Sequence, residues 1–212
     1  MKKLVLLTVA LLFTFSAVAF SQDVVTGLTG KGFKVGLDMA NFTGDDAPDE
    51  ASMKLGFTGG GFITYAFSDL FALQPELLFT MKGAKSDAGG VDYKTNLSYI
   101  EIPVLFKVQL VGGGNFKPNF YAGPAISFLM SAKATADPEP TGWVEDVKDD
   151  FKSTDIGLIG GAGADLLMGM GPGKVTFDIR YNIGLSSLDN VDDGFDAKVN
   201  NSAITFLVGY GF

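Results

Sequence analysis

The amino-acid sequence predicts an all-β protein, an eight-stranded antiparallel up-and-down transmembrane β-barrel. Three observations predict it. Apolar side chains recur at every second residue over segments of about 9–11 residues or more, the length a tilted strand needs to cross a bilayer. The connections between these segments alternate between long and short, the habit of outer-membrane barrels. The face opposite the apolar one is built mainly of small residues, where a water-exposed surface would need many long charged ones.

The first element precedes the barrel. Lys2 and Lys3 are followed by an apolar run over residues 4–15 and by Ala17-Val18-Ala19. This is the layout of a secretory signal peptide, cleaved after Ala19 or Ser21. The run is too short for a membrane-spanning helix, and no cysteine follows it to carry a lipid anchor. Residues 1–21 are therefore set apart, and 22–212 are assigned to the barrel.

Eight strands follow in order. The first covers residues 31–42, with Phe33, Val35, Leu37 and Met39 on one face. The second, 53–67, aligns Leu55, Phe57, Ile63, Tyr65 and Phe67. The third, 70–82, sets Phe71, Leu73, Leu77, Phe79 and Met81 against Ala72, Gln74, Glu76, Thr80 and Lys82. The fourth, 95–110, is the clearest, with Ile100, Ile102, Val104, Phe106, Val108 and Leu110 in register. The fifth, 117–133, carries Phe120, Ala122, Ile126, Phe128 and Met130, and the sixth spans 153–167. The seventh, 174–186, opposes Val175, Phe177, Ile179, Tyr181 and Ile183 to Thr176, Asp178, Arg180 and Asn182. The eighth, 201–212, aligns Ile204, Phe206, Val208, Tyr210 and Phe212. Pro75, Pro103 and Pro124 fall inside strands, where each is expected to remove a ladder hydrogen bond or mark a bulge. The connections 43–52, 83–94, 134–152 and 187–200 are long and acidic, and those between the remaining strands are short. An even strand number brings both chain ends to the short-turn, periplasmic side.

The polarity of the two faces decides what lies outside. A soluble ligand-carrying barrel would turn its apolar face inward and its polar face to water. Here the second face holds Gly56, Gly60, Gly123, Ala125, Ser127, Gly157, Gly161, Gly184 and Gly209, which suits the narrow lumen of an eight-stranded barrel. The large apolar residues therefore face lipid. The few charges left on the inward face form a candidate lumen ion cluster of Asp38, Glu76, Glu101, Lys107, Asp178 and Arg180, with Lys107 lower than the rest and Lys82 above them. Charges in so narrow a space must be paired or hydrated, so Arg180 is expected near Glu76 or Glu101. An Asp at Ile179 on the lipid face is expected to harm insertion more than an Asp at Asn182 on the lumen face.

Composition excludes several chemistries. The chain has 212 residues, no cysteine, no histidine and a net charge of −8. Disulfides, thiol catalysis, Ser-His-Asp catalysis and nearly every zinc site are thereby removed. An acidic chain without a basic tract is no partner for nucleic acid. Gly160-Gly161-Ala162-Gly163-Ala164-Asp165 lacks the last glycine of the G-x-G-x-x-G spacing and the following helix of a nucleotide loop. The acids of 189–196 resemble a calcium loop in composition only, because the EF-hand spacing fails. No cofactor and no metal is expected.

Several strands carry a recognisable pattern. Leu73-Gln74-Pro75-Glu76-Leu77-Leu78-Phe79 and Tyr99-Ile100-Glu101-Ile102-Pro103-Val104-Leu105 resemble the third and fourth strands of porin-family outer-membrane β-barrel domain proteins of the PorT-like type. Tyr121-Ala122-Gly123-Pro124, Asp155-Ile156-Gly157-Leu158 and Phe177-Asp178-Ile179-Arg180-Tyr181 are similar to later strands of the same family. The resemblance implies a barrel of OmpA or OmpX size, implies that Pro75 and Pro103 are tolerated, and implies no defined activity. Val208, Tyr210 and Phe212 resemble the terminal signal that the barrel-assembly machinery reads.

The function expected is that of a non-enzymatic, integral outer-membrane barrel of a Gram-negative bacterium, monomeric and in contact with outer-membrane lipid. Its role is expected to be structural or interactive, through acidic extracellular loops, with the lumen plugged by side chains. The alternatives are a narrow porin-like diffusion channel and a component of an outer-membrane secretion system. Trp143, an aromatic residue in a charged loop, is the candidate contact for an extracellular or secretion-system protein partner.

Overall fold

The computed structural model describes residues 26–48, 51–88, 91–110, 114–137, 144–169, 173–190 and 197–212. The signal-peptide assignment and Trp143 lie outside the described residues. The chain forms β1 (Gly27–Thr43), β2 (Ser52–Ala66), β3 (Phe71–Ala88), β4 (Val91–Gln109), β5 (Phe116–Asp137), the short β6 (Val144–Asp146), β7 (Thr154–Leu167), β8 (Lys174–Gly184) and β9 (Asn200–Gly211). A single 3-10 turn, Lys148–Asp150, separates β6 from β7.

All pairings are antiparallel, and the sheet order β4-β3-β2-β1-β9-β8-β7-β5 closes on itself through a β4–β5 pairing. Eight strands therefore form a ring without an edge, which satisfies every wall strand's backbone inside lipid. β6 stands outside the ring, paired with Lys133–Thr135 of β5. No helix among the described residues is long and apolar enough to cross a membrane; the crossing is made by strands.

The alternation of side chains fixes the faces. Phe33, Leu37, Ile179 and Val208 are 58%, 53%, 48% and 50% exposed on the outer surface, a contiguous apolar wall that a soluble protein does not present. Their neighbours Lys34, Asp38, Arg180 and Leu207 are at most 3% exposed and fill the interior. At the end where β1 begins and β9 ends, Phe71 stacks on Phe106, Tyr65 meets Phe67, and Tyr210 lies between Phe33 and Phe212. Aromatic girdles of this kind sit at the membrane interface.

Two expectations change. The segment 83–94 is not a loop: β3 and β4 continue as a paired hairpin up to Ala88↔Val91. Above the membrane both faces of a hairpin meet water, so its sequence shows no alternation to read. The three prolines cause no bulge, which leaves the other expected effect, an interrupted ladder, and Pro75 is indeed unpaired with β2 between Phe62↔Glu76 and Tyr65↔Leu73. Pro75↔Val104, Pro103↔Ala125 and Pro124↔Leu158 lie in unbroken register, and the register shifts fall at Leu28/Gly30, Met53/Thr58 and Ser98/Tyr99.

Candidate functional site

The lumen holds charges in tiers rather than in one cluster, set by the height of each inward position on its strand. The middle tier joins β1, β3 and β8 across the barrel. Glu76 accepts hydrogen bonds from Lys34 Nζ at 2.9 Å and from Arg180, whose Nη1 lies 2.8 Å and Nη2 3.4 Å away. Lys34 Nζ also lies 2.8 Å from Asp178 Oδ2. Both cations stand over aromatic rings, Lys34 over Phe62 at 4.9 Å and Arg180 over Tyr121 at 5.4 Å. A cation held on a ring face is attracted by the ring quadrupole, more so when desolvated.

The upper tier belongs to Glu101. It accepts from Lys82 Nζ at 2.5 Å, Ser127 at 3.1 Å and Asn182 at 3.1 Å. Thr205 donates to Asp38 Oδ1, and the other Asp38 oxygen has no hydrogen-bond partner. Lys54 donates to the Lys82 carbonyl at 3.3 Å. The lowest tier faces the periplasmic mouth, where Asp165 serves Lys174 at 2.8 Å and Lys107 at 3.3 Å.

Counted through these tiers the interior is neutral. Lys34, Lys54, Lys82, Lys107, Lys174 and Arg180 face Asp38, Glu76, Glu101, Asp155, Asp165 and Asp178. The lowest tier has one cation in excess and the top one carboxylate, Asp155. That carboxylate is held by hydrogen bonds from Ser186 and Asn201, at 2.8 Å and 2.9 Å.

An apolar cap lies at the long-connection end, above Asp155. Leu97, Tyr99, Leu129, Ala132 and Leu188 form one buried cluster, flanked by Phe42, Val147 and Phe151. Leu188 comes from the connection between β8 and β9 and is 1% exposed. Its amide donates to Val199 O and its carbonyl accepts from Lys152 N, each at 2.7 Å. Asn190 binds Asp149 O and Asp150 O, stitching this connection to the 3-10 turn.

Glycines make room for these side chains. A Cβ at Gly161 would stand 2.7 Å from the Tyr121 ring, and one at Gly209 would stand 2.9 Å from Lys34 Cγ. The glycine-rich stretch of β7 is thus the floor beneath Tyr121.

A family model for the outer membrane protein beta-barrel domain matches residues 20–190. The chain belongs to this outer-membrane β-barrel family. Its place is the outer membrane, and the ring closed by β9 completes the domain beyond the matched residues. No curated protein matches. Among solved structures, the outer membrane protein OprG of Pseudomonas aeruginosa is similar, at 14% identity, with 88% of this chain and 96% of that chain covered and a TM-score of 0.50. Neisserial surface protein A gives 17% identity, 84% and 95% coverage and 0.45. Ail of Yersinia pestis, in complex with the heparin analogue sucrose octasulfate, gives 16% identity, 86% and 98% coverage and 0.43. The likeness to OprG is one of fold.

Within this family barrel, the six residues expected as one lumen cluster are divided. Glu76, Arg180 and Asp178 meet in the middle tier, Asp38 and Glu101 stand above, and Lys107 sits at the mouth. Arg180 serves Glu76, while Glu101 takes Lys82 instead. Asn182 donates to Glu101, so an Asp at that position would face a carboxylate. Lys34, Lys54, Asp155, Asp165 and Lys174 were not singled out from sequence. Parity was the available signal: Lys34 lies four residues before Asp38 on the same strand face.

Proposed function

We propose that this protein is a non-enzymatic, closed outer-membrane barrel that acts through its extracellular end. The observation that carries this reading is the Lys34–Glu76–Arg180 clamp, which ties β1, β3 and β8 together across the lumen between two aromatic rings. Above the clamp, the Leu188 cap closes the mouth a second time. A pathway for solutes would have to break both.

The partner is a cationic protein surface. The four connections 43–52, 83–94, 134–152 and 187–200 carry sixteen acidic side chains against five lysines. Charge of one sign steers partners of the other and raises their association rate. The β3–β4 hairpin, β6 and the 3-10 turn give this end folded structure to present.

Planar-bilayer recording tests the closed state. The purified barrel should leave conductance at background, and a steady current would support the diffusion-channel alternative instead. The PorT-like motifs around Pro75 and Pro103 favour a second reading, a part in protein secretion. Deletion of the gene should then abolish export of a secreted protein, whereas a purely extracellular role leaves export intact.

A further inference from the structure

We propose that the membrane-facing wall over β1, β2 and β3 carries a site for one phospholipid of the periplasmic leaflet. The first part of an acyl chain would lie in a surface hollow, with the phosphate at Lys31. The hollow measures about 450 Å³ and is lined chiefly by Phe33, Gly61, Ile63, Pro75 and Leu77, with Lys31 at one end. That volume lies within the range of about 300–1,000 Å³ usual for small-molecule sites.

The register explains why a hollow forms here. Outward positions lie side by side in rows: Lys31 beside Ile63, Phe33 beside Gly61 beside Leu77, Val35 beside Gly59 beside Phe79. Two consecutive outward positions of β2 thus have no side chain, while large ones stand on both flanks. Ile63 and Pro75, at the next level, are not paired between Phe62↔Glu76 and Tyr65↔Leu73. The Phe57 ring lies over Gly59, 3.1 Å from where its Cβ would stand, so the hollow is a short trough confined to the level of Gly61, Ile63 and Pro75 and lies next to Lys31, where the first part of an acyl chain enters from the interface.

The lower end of the trough supplies the charge. Lys31 is exposed, at the level of the chain-terminal strand, where its backbone exchanges hydrogen bonds with Phe212. Its Nζ stands 5.3 Å from the Phe212 ring centre. In the lower half of the outward face, among the described residues, the other positions in these rows are uncharged. A lysine at the interface end of an apolar trough complements a phosphate, and the bilayer supplies that group together with the chain that fits the trough.

The test extracts the full-length barrel from membranes in mild detergent and counts retained phospholipid by native mass spectrometry. Gly61→Phe fills the trough, and it should fold, since a Cβ there meets only Gly32 O at 3.5 Å. Gly160→Phe is the control, an outward glycine of β7 with nothing within 4 Å of its Cβ. Wild type and the control should each retain about one phospholipid, Gly61→Phe none, and Lys31→Gln about five-fold less, as removal of one lysine–headgroup contact predicts. Equal retention in all four proteins overturns the site. So does equal loss in Gly160→Phe and Gly61→Phe, which would mean general annular lipid. A dimer peak that Gly61→Phe abolishes would assign the trough to a second copy and also overturn it.

Discussion

Glu76 is the residue on which the lumen depends most. It is 3% exposed and holds two cations that stand on separate strands. Removing one partner of a buried ion pair leaves an uncompensated charge at a cost of about 3–5 kcal/mol, less where water can reach. Glu76→Gln should therefore lower unfolding stability in lipid vesicles by more than Lys107→Gln does, because Lys174 still serves Asp165 at the mouth. Arg180→Lys should cost less than Arg180→Ala, keeping the charge but not the two-pronged contact. Urea midpoints of the four variants check the order. Even Arg180→Ala should stay at background conductance, since Lys34, Phe62, Tyr121 and the cap remain in place. At this scale the sequence disclosed which residues point inward and that Arg180 needs a carboxylate. It placed Lys107 below and Lys82 above the others but did not disclose which charges pair, because pairing depends on the stagger between strands far apart in the chain. Lys34 and Glu76 are 42 residues apart, and Arg180 and Glu76 are 104 apart.

Among the elements, β8 shows the alternation most simply and carries the next prediction. Val175, Phe177, Ile179, Tyr181 and Ile183 face lipid, and Thr176, Asp178, Arg180 and Asn182 face inward. Ile179 sits midway along the strand, where a lysine on the lipid face costs about 2–4 kcal/mol. Ile179→Lys should lose that much in vesicle unfolding, while a lysine at Phe177, nearer the interface, should lose less. The connection after β8 behaves differently. Leu188 follows two serines and precedes an acidic stretch, and nothing periodic around it announces that it folds back over the barrel. Its burial depends on Leu97, Tyr99 and Leu129 from β4 and β5. Leu188→Ala should cost about 2–5 kcal/mol of local stability. Hydrogen exchange should quicken at the amides of Lys152 and Leu188, which the cap now protects, and leave β8 and β9 unchanged. The same reasoning explains the β3–β4 hairpin. Where lipid no longer demands an apolar face, a strand loses the period that makes it legible.

On the scale of the whole molecule, the two ends differ in structure as well as in charge. One end has the tight turn at 67–70, the start of β1, the end of β9 and the aromatic girdle; the other has the cap, β6 and the acidic connections. Short turns face the periplasm and long connections the outside in barrels of this type, so the asymmetry predicts an orientation. The chain has no cysteine, which makes a single introduced thiol a unique reporter. Lys148 and Asp69 are both exposed, at opposite ends. On intact cells a membrane-impermeant maleimide should label Lys148→Cys and not Asp69→Cys. Once the outer membrane is permeabilised, both should react. Neither residue is within the wall or touches a lumen tier, so both variants should fold as the parent does, and heat-modifiable migration on gels confirms that they have. Labelling of Asp69→Cys on intact cells with Lys148→Cys silent would invert the barrel. The acidic connections would then face the periplasm, and the trough beside Lys31 would lie in the outer leaflet, among lipopolysaccharide rather than phospholipid. The labelling pattern therefore decides the direction of the interaction surface and the leaflet of the lipid site in one measurement.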